Sequence, residues 1–183
     1  MPITAQSIYE QTLIVRAQLG DEVACREMMS DLSPRLLSFT RKMLGRSSEH
    51  AEDFVQEVWI AIFRGLSSLK DTTKFKPWAF RIARDRVYRE LRRRRVPVDS
   101  TEEIDVQDLA EEGEGEPIVD PTELQRCLAS ISPGHREVLM LRFFEEMAYE
   151  EIARVTNSSL GTVRSRIHYA KRALRAAITQ SSL

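Results

Sequence analysis

With 183 residues, 42% of them hydrophobic and 30% charged, and with only seven glycines and seven prolines, the chain has room for one or two small domains and is too apolar for general disorder. Its formal net charge of −1 argues against a nucleic-acid partner, but that value averages over unequal segments. Ten of the 28 acids lie between residues 96 and 121, where no base occurs, so the rest of the chain carries 27 bases against 18 acids, a net of +9.

Cys25 and Cys127 have no CxxC spacing and form no ligand pattern with His50, His135 or His168, which fits a reducing cytosol and calls for neither metal nor cofactor. No run approaches the roughly eighteen apolar residues of a membrane span, and Glu10 precedes the first short apolar run with no base before it. Membrane insertion and export are not expected, and the expected location is cytoplasmic. The chain also lacks a Gly-rich phosphate loop, a GxSxG elbow and an HExxH pair, so an enzyme is not expected.

In chain order, three or four helices are expected before residue 96. Gly20 breaks the first region and Asp21 caps the helix that follows. Val55, Val58, Trp59, Ile62 and Leu66 advance by threes and fours, which predicts an amphipathic helix over about residues 50 to 66. Residues 70 to 76 read as a polar loop. Pro77, at the first position of the next helix, loses no hydrogen bond by lacking an N–H. That helix extends to about residue 95, with Phe80, Ala83, Val87 and Leu91 facing inward and Arg81, Arg84, Tyr88, Arg92 and Arg95 on another side. From residue 70 to 95 there are eleven bases against Asp71, Asp85 and Glu90, the electrostatic footprint of a phosphate backbone. Trp78 and Phe80 are expected in the core.

The stretch 96–121 combines many like charges with few large apolar residues, so burial cannot offset its ordering entropy, and it reads as a flexible linker. Beyond it, helices are expected over 123–131 and 134–144, separated by Ser132-Pro133 with Ser132 as a cap. A short helix over 149–156, a turn at Asn157-Ser158-Ser159 and a long helix over 161–178 have helix-turn-helix layout. Val163, Ile167, Ala170, Leu174 and Ala177 form the packed stripe of the last helix, opposite Arg164, His168, Lys171 and Arg175. Arg164 is the expected base reader, since a guanidinium grips guanine bidentately. Lys171, Arg172 and Arg175 suit phosphates, and Ser165 and His168 can donate to either. Glu145-Glu146 and Glu150-Glu151 read as solvated helix surface. The fold expected is all-α, with small helical domains over 1–95 and 122–183 joined by the acidic linker 96–121.

Two segments resemble the extracytoplasmic-function subfamily of bacterial sigma factors. They are AEDFVQEVWIAIFRGLSSL with FKPWAFRIARDRVYRELRRRR, and SPGHREVLMLRFFEEMAYEEIARVTNSSLGTVRSRIHYAKRALRAAI. The resemblance implies a region 2-like bundle and a region 4-like helix-turn-helix domain that bring core RNA polymerase to promoters, with an anti-sigma factor as a further partner. It implies that Asp53, Gln56 and Glu57 meet the clamp coiled coil of the polymerase, and that Arg136 and Arg142, with Val138 and Leu139, belong to the surface for the flap. Lys70, Lys74, Lys76, Arg81, Arg84, Asp85, Tyr88 and Arg92 fall on the reader of the minus-ten element, and Arg164, Ser165, His168, Lys171, Arg172 and Arg175 on the reader of the minus-thirty-five element. Asp85 stands where the family often has Asn, so it accepts a hydrogen bond but cannot donate one, which favours a flipped base bearing an amino group. Two rivals remain: a stand-alone helix-turn-helix regulator binding an operator as a dimer, and an adaptor that binds only protein.

Overall fold

A computed structural model of the chain describes residues 5–45, 51–94 and 120–181. The acidic stretch lies outside these residues apart from Asp120 and Pro121, as does Arg95. Among the described residues all regular structure is helical.

The first group comprises α1 (Ala5–Gln18), α2 (Glu22–Leu44), α3 (Ala51–Gly65) and α4 (Phe75–Arg93), with short 3₁₀ turns at Leu66–Ser68 and Thr72–Lys74 between the last two. Gly20 takes φ +88°, which ends α1, and the Asp21 carboxylate accepts the backbone N–H groups of Val23 and Ala24, which starts α2. The apolar stripes meet at the centre, where Phe39 of α2 and Phe80 of α4 pack edge to face with ring centroids 5.5 Å apart. Val55, Val58, Trp59 and Ile62 of α3 are buried, and the Trp59 indole donates to Ser33 Oγ at 2.9 Å. Pro77 lies two residues inside α4 and not at its start, because the 3₁₀ turn runs directly into the helix at Phe75. Its missing N–H still falls among the first-turn groups that have no intrahelical acceptor.

The second group comprises α5 (Pro121–Ser130), α6 (Pro133–Leu139), a π-helical turn at Met140–Phe144, α7 (Tyr149–Thr156) and α8 (Leu160–Ser181). Asp120 and Ser132 cap α5 and α6. The single helix expected over 134–144 is interrupted: the Glu145 N–H bonds to Met140 O, five residues back, and Glu146 turns to φ +54°. Ala148 offers α7 no side-chain oxygen, but the Glu151 carboxylate accepts the Ala148 N–H at 2.8 Å and supplies half of a capping box.

The two groups share one apolar core. Helix α4 packs on α7, and α2 touches α5 and α6. Among the described residues no helix is long and apolar enough to cross a membrane.

Candidate nucleic-acid interface

The sequence crowds cations into the turn before α4 and along that helix, and the fold sorts them into outward and inward sets. Asp71 begins the sorting. Its carboxylate accepts from the Thr73 N–H and lies 2.6 Å from Lys74 Nζ, and these bonds, Lys74 first, hold its pKa down at about 2. Lys70 and Lys74 stay exposed, as do Arg81, Asp85 and Arg92 along α4. Lys74, Trp78 and Arg81 form one wall of an open cleft of about 640 Å³, and Arg154, Asn157 and Ser158 of the second group form the other.

Three residues expected on the cationic side point elsewhere. Arg84 Nε donates to Glu137 Oε1 at 2.7 Å, and the Tyr88 hydroxyl donates to the other oxygen, Oε2, at 2.8 Å. Glu137 is 0% exposed and Tyr88 is buried, so Tyr88 does not share the exposed face of Arg81. Burial pushes the Glu137 carboxyl up, while Arg84 and Tyr88 pull it back; with both oxygens accepting, the geometry is that of the anion. Burial, and then the neighbouring Glu137, push the Tyr88 phenol up. Lys76 reaches Glu145, bonding to its backbone oxygen and lying 3.9 Å from its carboxylate, and burial lowers the pKa of this lysine.

Glu145 is itself a correction. It is 3% exposed and ion-paired with Arg35 of α2 at 2.7 Å, whereas a solvated face was expected of it. Arg136 is also buried. Its guanidinium donates to the carbonyls of Leu128, Ala129 and Ile131 at the end of α5, and to those of Lys42 and Met43 at the end of α2. It thus satisfies helix C-terminal acceptors that would otherwise be orphaned. Val138 and Leu139 are core residues. Arg142 is half-buried, donating to Met147 O at 3.0 Å and lying over the Tyr149 ring.

The helix-turn-helix unit is built by local capping. Asn157 ends α7 in the left-handed region at φ +52°, and Ser159 Oγ accepts the Thr162 N–H to open α8. The stripe of Val163, Ile167 and Ala170 is buried against the rest of the unit. Arg164, Lys171 and Arg172 are exposed, His168 and Arg175 are partly so, and the Lys171 ammonium sits 5.3 Å from the Phe143 ring centroid. Ser165 is buried and donates to Thr162 O within the helix, so it is turned away from any groove α8 could enter. On α3, Asp53, Gln56 and Glu57 form an exposed face that continues into Ile60, half exposed at 50%, and Glu57 pairs with Arg86 of α4.

These two helical groups coincide with two family matches: Sigma-70 region 2 over residues 28–96 and Sigma-70 region 4 over residues 122–174. The chain is 28% identical to the ECF RNA polymerase sigma-E factor of Escherichia coli K12, over 93% of this chain and 94% of that one. It is also 28% identical to the ECF RNA polymerase sigma factor SigW of Bacillus subtilis 168, over 88% and 92%. The chain belongs to the extracytoplasmic-function sigma factors. Its fold is shared by solved sigma structures. CnrH, solved with the cytosolic domain of CnrY, matches with a TM-score of 0.69 at 21% identity over 93% of this chain and 97% of that one. The sigma factor RpoE from Bartonella quintana, solved with the anti-sigma factor NepR, matches with a TM-score of 0.66 at 23% identity over 84% and 96%. As a sigma factor the chain acts in promoter-specific transcription initiation. A stand-alone regulator is not favoured, because the region 2 match covers the half such a regulator would use for sensing or dimerisation.

Glu137, Glu145 and Arg35 went unnoticed in the sequence as site residues. Glu137 did leave a signal: with Met140 and Leu141 it falls at i, i+3 and i+4 on the buried stripe of its helix. Nothing in the local pattern marks Arg35, whose partner is 110 residues away.

Proposed function

We propose that this sigma factor works in the cytoplasm as a non-catalytic initiation factor, with residues 1–95 binding core RNA polymerase and the minus-ten element, 96–121 serving as linker, and 122–183 binding the minus-thirty-five element. The observation that carries the residue roles is the exposed, separate placement of three faces: Asp53, Gln56, Glu57 and Ile60 on α3, Arg81, Asp85 and Arg92 on α4, and Arg164, Lys171 and Arg172, with the partly exposed His168 beside them, on α8. The α3 face, acidic with an apolar centre, suits the clamp coiled coil. The α4 face suits the melted strand, with Lys70 and Lys74 beside it, and the first turns of α8 suit a major groove. Arg142 and the exposed rings of Phe143 and Phe144 suit the flap. CnrH and RpoE were each solved with a protein partner, which supports an anti-sigma factor as a partner here too.

Run-off transcription with purified core polymerase tests this reading. Transcripts from a defined set of promoters are expected only when chain and core enzyme are both present. Operator-specific gel shifts by the chain alone, with no transcription, would overturn it.

A further inference from the structure

Arg86 belongs by sequence to the cationic run of residues 70–95, but α4 turns it aside from the face proposed for the melted strand. At about 100° per residue it stands roughly 100–140° around the helix axis from Asp85, Arg92 and Arg81. It reaches α3 instead, where its Nη1 donates to Oε2 of Glu57. The Arg86 side chain is 23% exposed and that of Glu57 61%, so the pair sits at the surface with the carboxylate the more open of the two. A pair so placed adds little to folding stability. Its clearer effect is on Glu57, whose rotatable side-chain bonds are held in one arrangement. Arg86 takes one acceptor site of that carboxylate, and among the described residues no other donor reaches it, so the remaining sites are free for a partner.

We infer that Arg86 is a positioning residue for polymerase docking: from α4 it sets the posture of the Glu57 carboxylate on α3, and it takes no part in holding DNA. This rests on the reading above that assigns Glu57, with Asp53 and Gln56, to the clamp coiled coil. A carboxylate already ordered loses less conformational freedom on docking, which is worth about fivefold in affinity for one side chain. An opposing effect also exists, because the guanidinium offsets the negative charge of the α3 face and its removal would strengthen attraction to a cationic partner. The surface position decides between the two. Charge effects between exposed groups are small and screened by salt, whereas side-chain ordering is not screened, so orientation prevails at physiological salt.

The test titrates the fluorescently labelled full-length chain with core RNA polymerase and, separately, measures promoter binding by the assembled holoenzyme at several salt concentrations. Arg86→Ala is expected to weaken core binding about fivefold, and Arg86→Lys, which keeps a donor for Oε2, to stay within about twofold of wild type. Glu57→Ala alone should weaken core binding about tenfold, and adding Arg86→Ala to it should change that by no more than about twofold, because the group being positioned is gone. A loss from a general weakening of the fold would instead add fully in the Glu57→Ala background. The salt slope of promoter binding should be the same for Arg86→Ala and wild type, whereas a lost phosphate contact would reduce it by about 0.9. Unchanged or tighter core binding by Arg86→Ala, full additivity with Glu57→Ala, or a reduced salt slope would each overturn the inference. Should Arg86→Ala lose helicity, Arg86→Gln, which keeps most of the stem, takes its place with the same outcomes expected. Glu57→Ala separates the two failures. If it weakens core binding while Arg86→Ala does not, only the positioning role is refuted; if it leaves core binding unchanged, the assignment of Glu57 beneath it falls and takes the inference with it.

Discussion

Arg164→Ala is the sharpest probe of promoter reading. Arg164 lies on the first turns of α8, exposed, beside the buried Val163 that fixes the orientation of the helix. A bidentate guanidinium-to-guanine contact discriminates against the wrong base by about 1–3 kcal/mol, which corresponds to roughly 5- to 150-fold in affinity. Arg172 is eight residues further along the same helix, about 12 Å at 1.5 Å per residue, too far to share those base edges. The assay is holoenzyme binding to a cognate promoter and to one with a scrambled minus-thirty-five element. The Arg164→Ala protein is expected to lose most of the difference between the two, and Arg172→Ala to weaken both alike. Equal loss on both promoters for Arg164→Ala would show that the residue meets phosphate and would refute the assignment.

Arg92→Ala should weaken binding to every promoter and reduce the slope of log affinity against log salt by about 0.9, measured by titration at several salt concentrations. Phe80→Ala removes a fully buried ring packed edge to face on Phe39 and should cost about 3–5 kcal/mol in urea unfolding. Gly65→Ala would place its methyl 2.9 Å from Trp78 Cζ2, and the rigid indole must move. The resulting overpacking, about 1–3 kcal/mol, should outweigh the backbone gain of about 0.4–1 kcal/mol and lower the melting temperature. The Asp71 carboxyl is held down at about 2 from an ordinary 3.8, so its bonds contribute fully above pH 4 and are lost as pH falls through 2. An NMR titration of its side-chain carbon should find the midpoint near 2, and a midpoint near 4 would contradict the cap geometry.

Local signals in the sequence carried far. Gly20 and Asp21, Ser132, and the turn at Asn157 to Ser159 act through their own or adjacent residues, and each lies where spacing and capping chemistry place it. The inward faces of α3, α4 and α8 follow from helical periodicity alone. What stayed hidden depends on partners distant in the chain. Arg84 and Tyr88 share helical spacing with Arg81, yet only the arrival of α6 decides which of them meets solvent. Arg136 has the composition of a docking cation, but five backbone carbonyls from two helix ends claim it. Ser165 fails for a simpler reason: in mid-helix its hydroxyl bonds back to the preceding turn.

The wide turn at Met140–Phe144 has a bearing on how this sequence can change. It holds one residue more than an α-helical turn would, and that residue sets the angle at which Glu145 meets Arg35 and at which α7 and α8 leave the end of α6. Losing a single residue there would rotate everything downstream by about 100°, swinging α8, the helix proposed to read DNA, off its axis while leaving its own sequence untouched. With the role proposed for α8, substitutions along it would retune which promoters are read, whereas length changes in these five residues would misaim the whole helix.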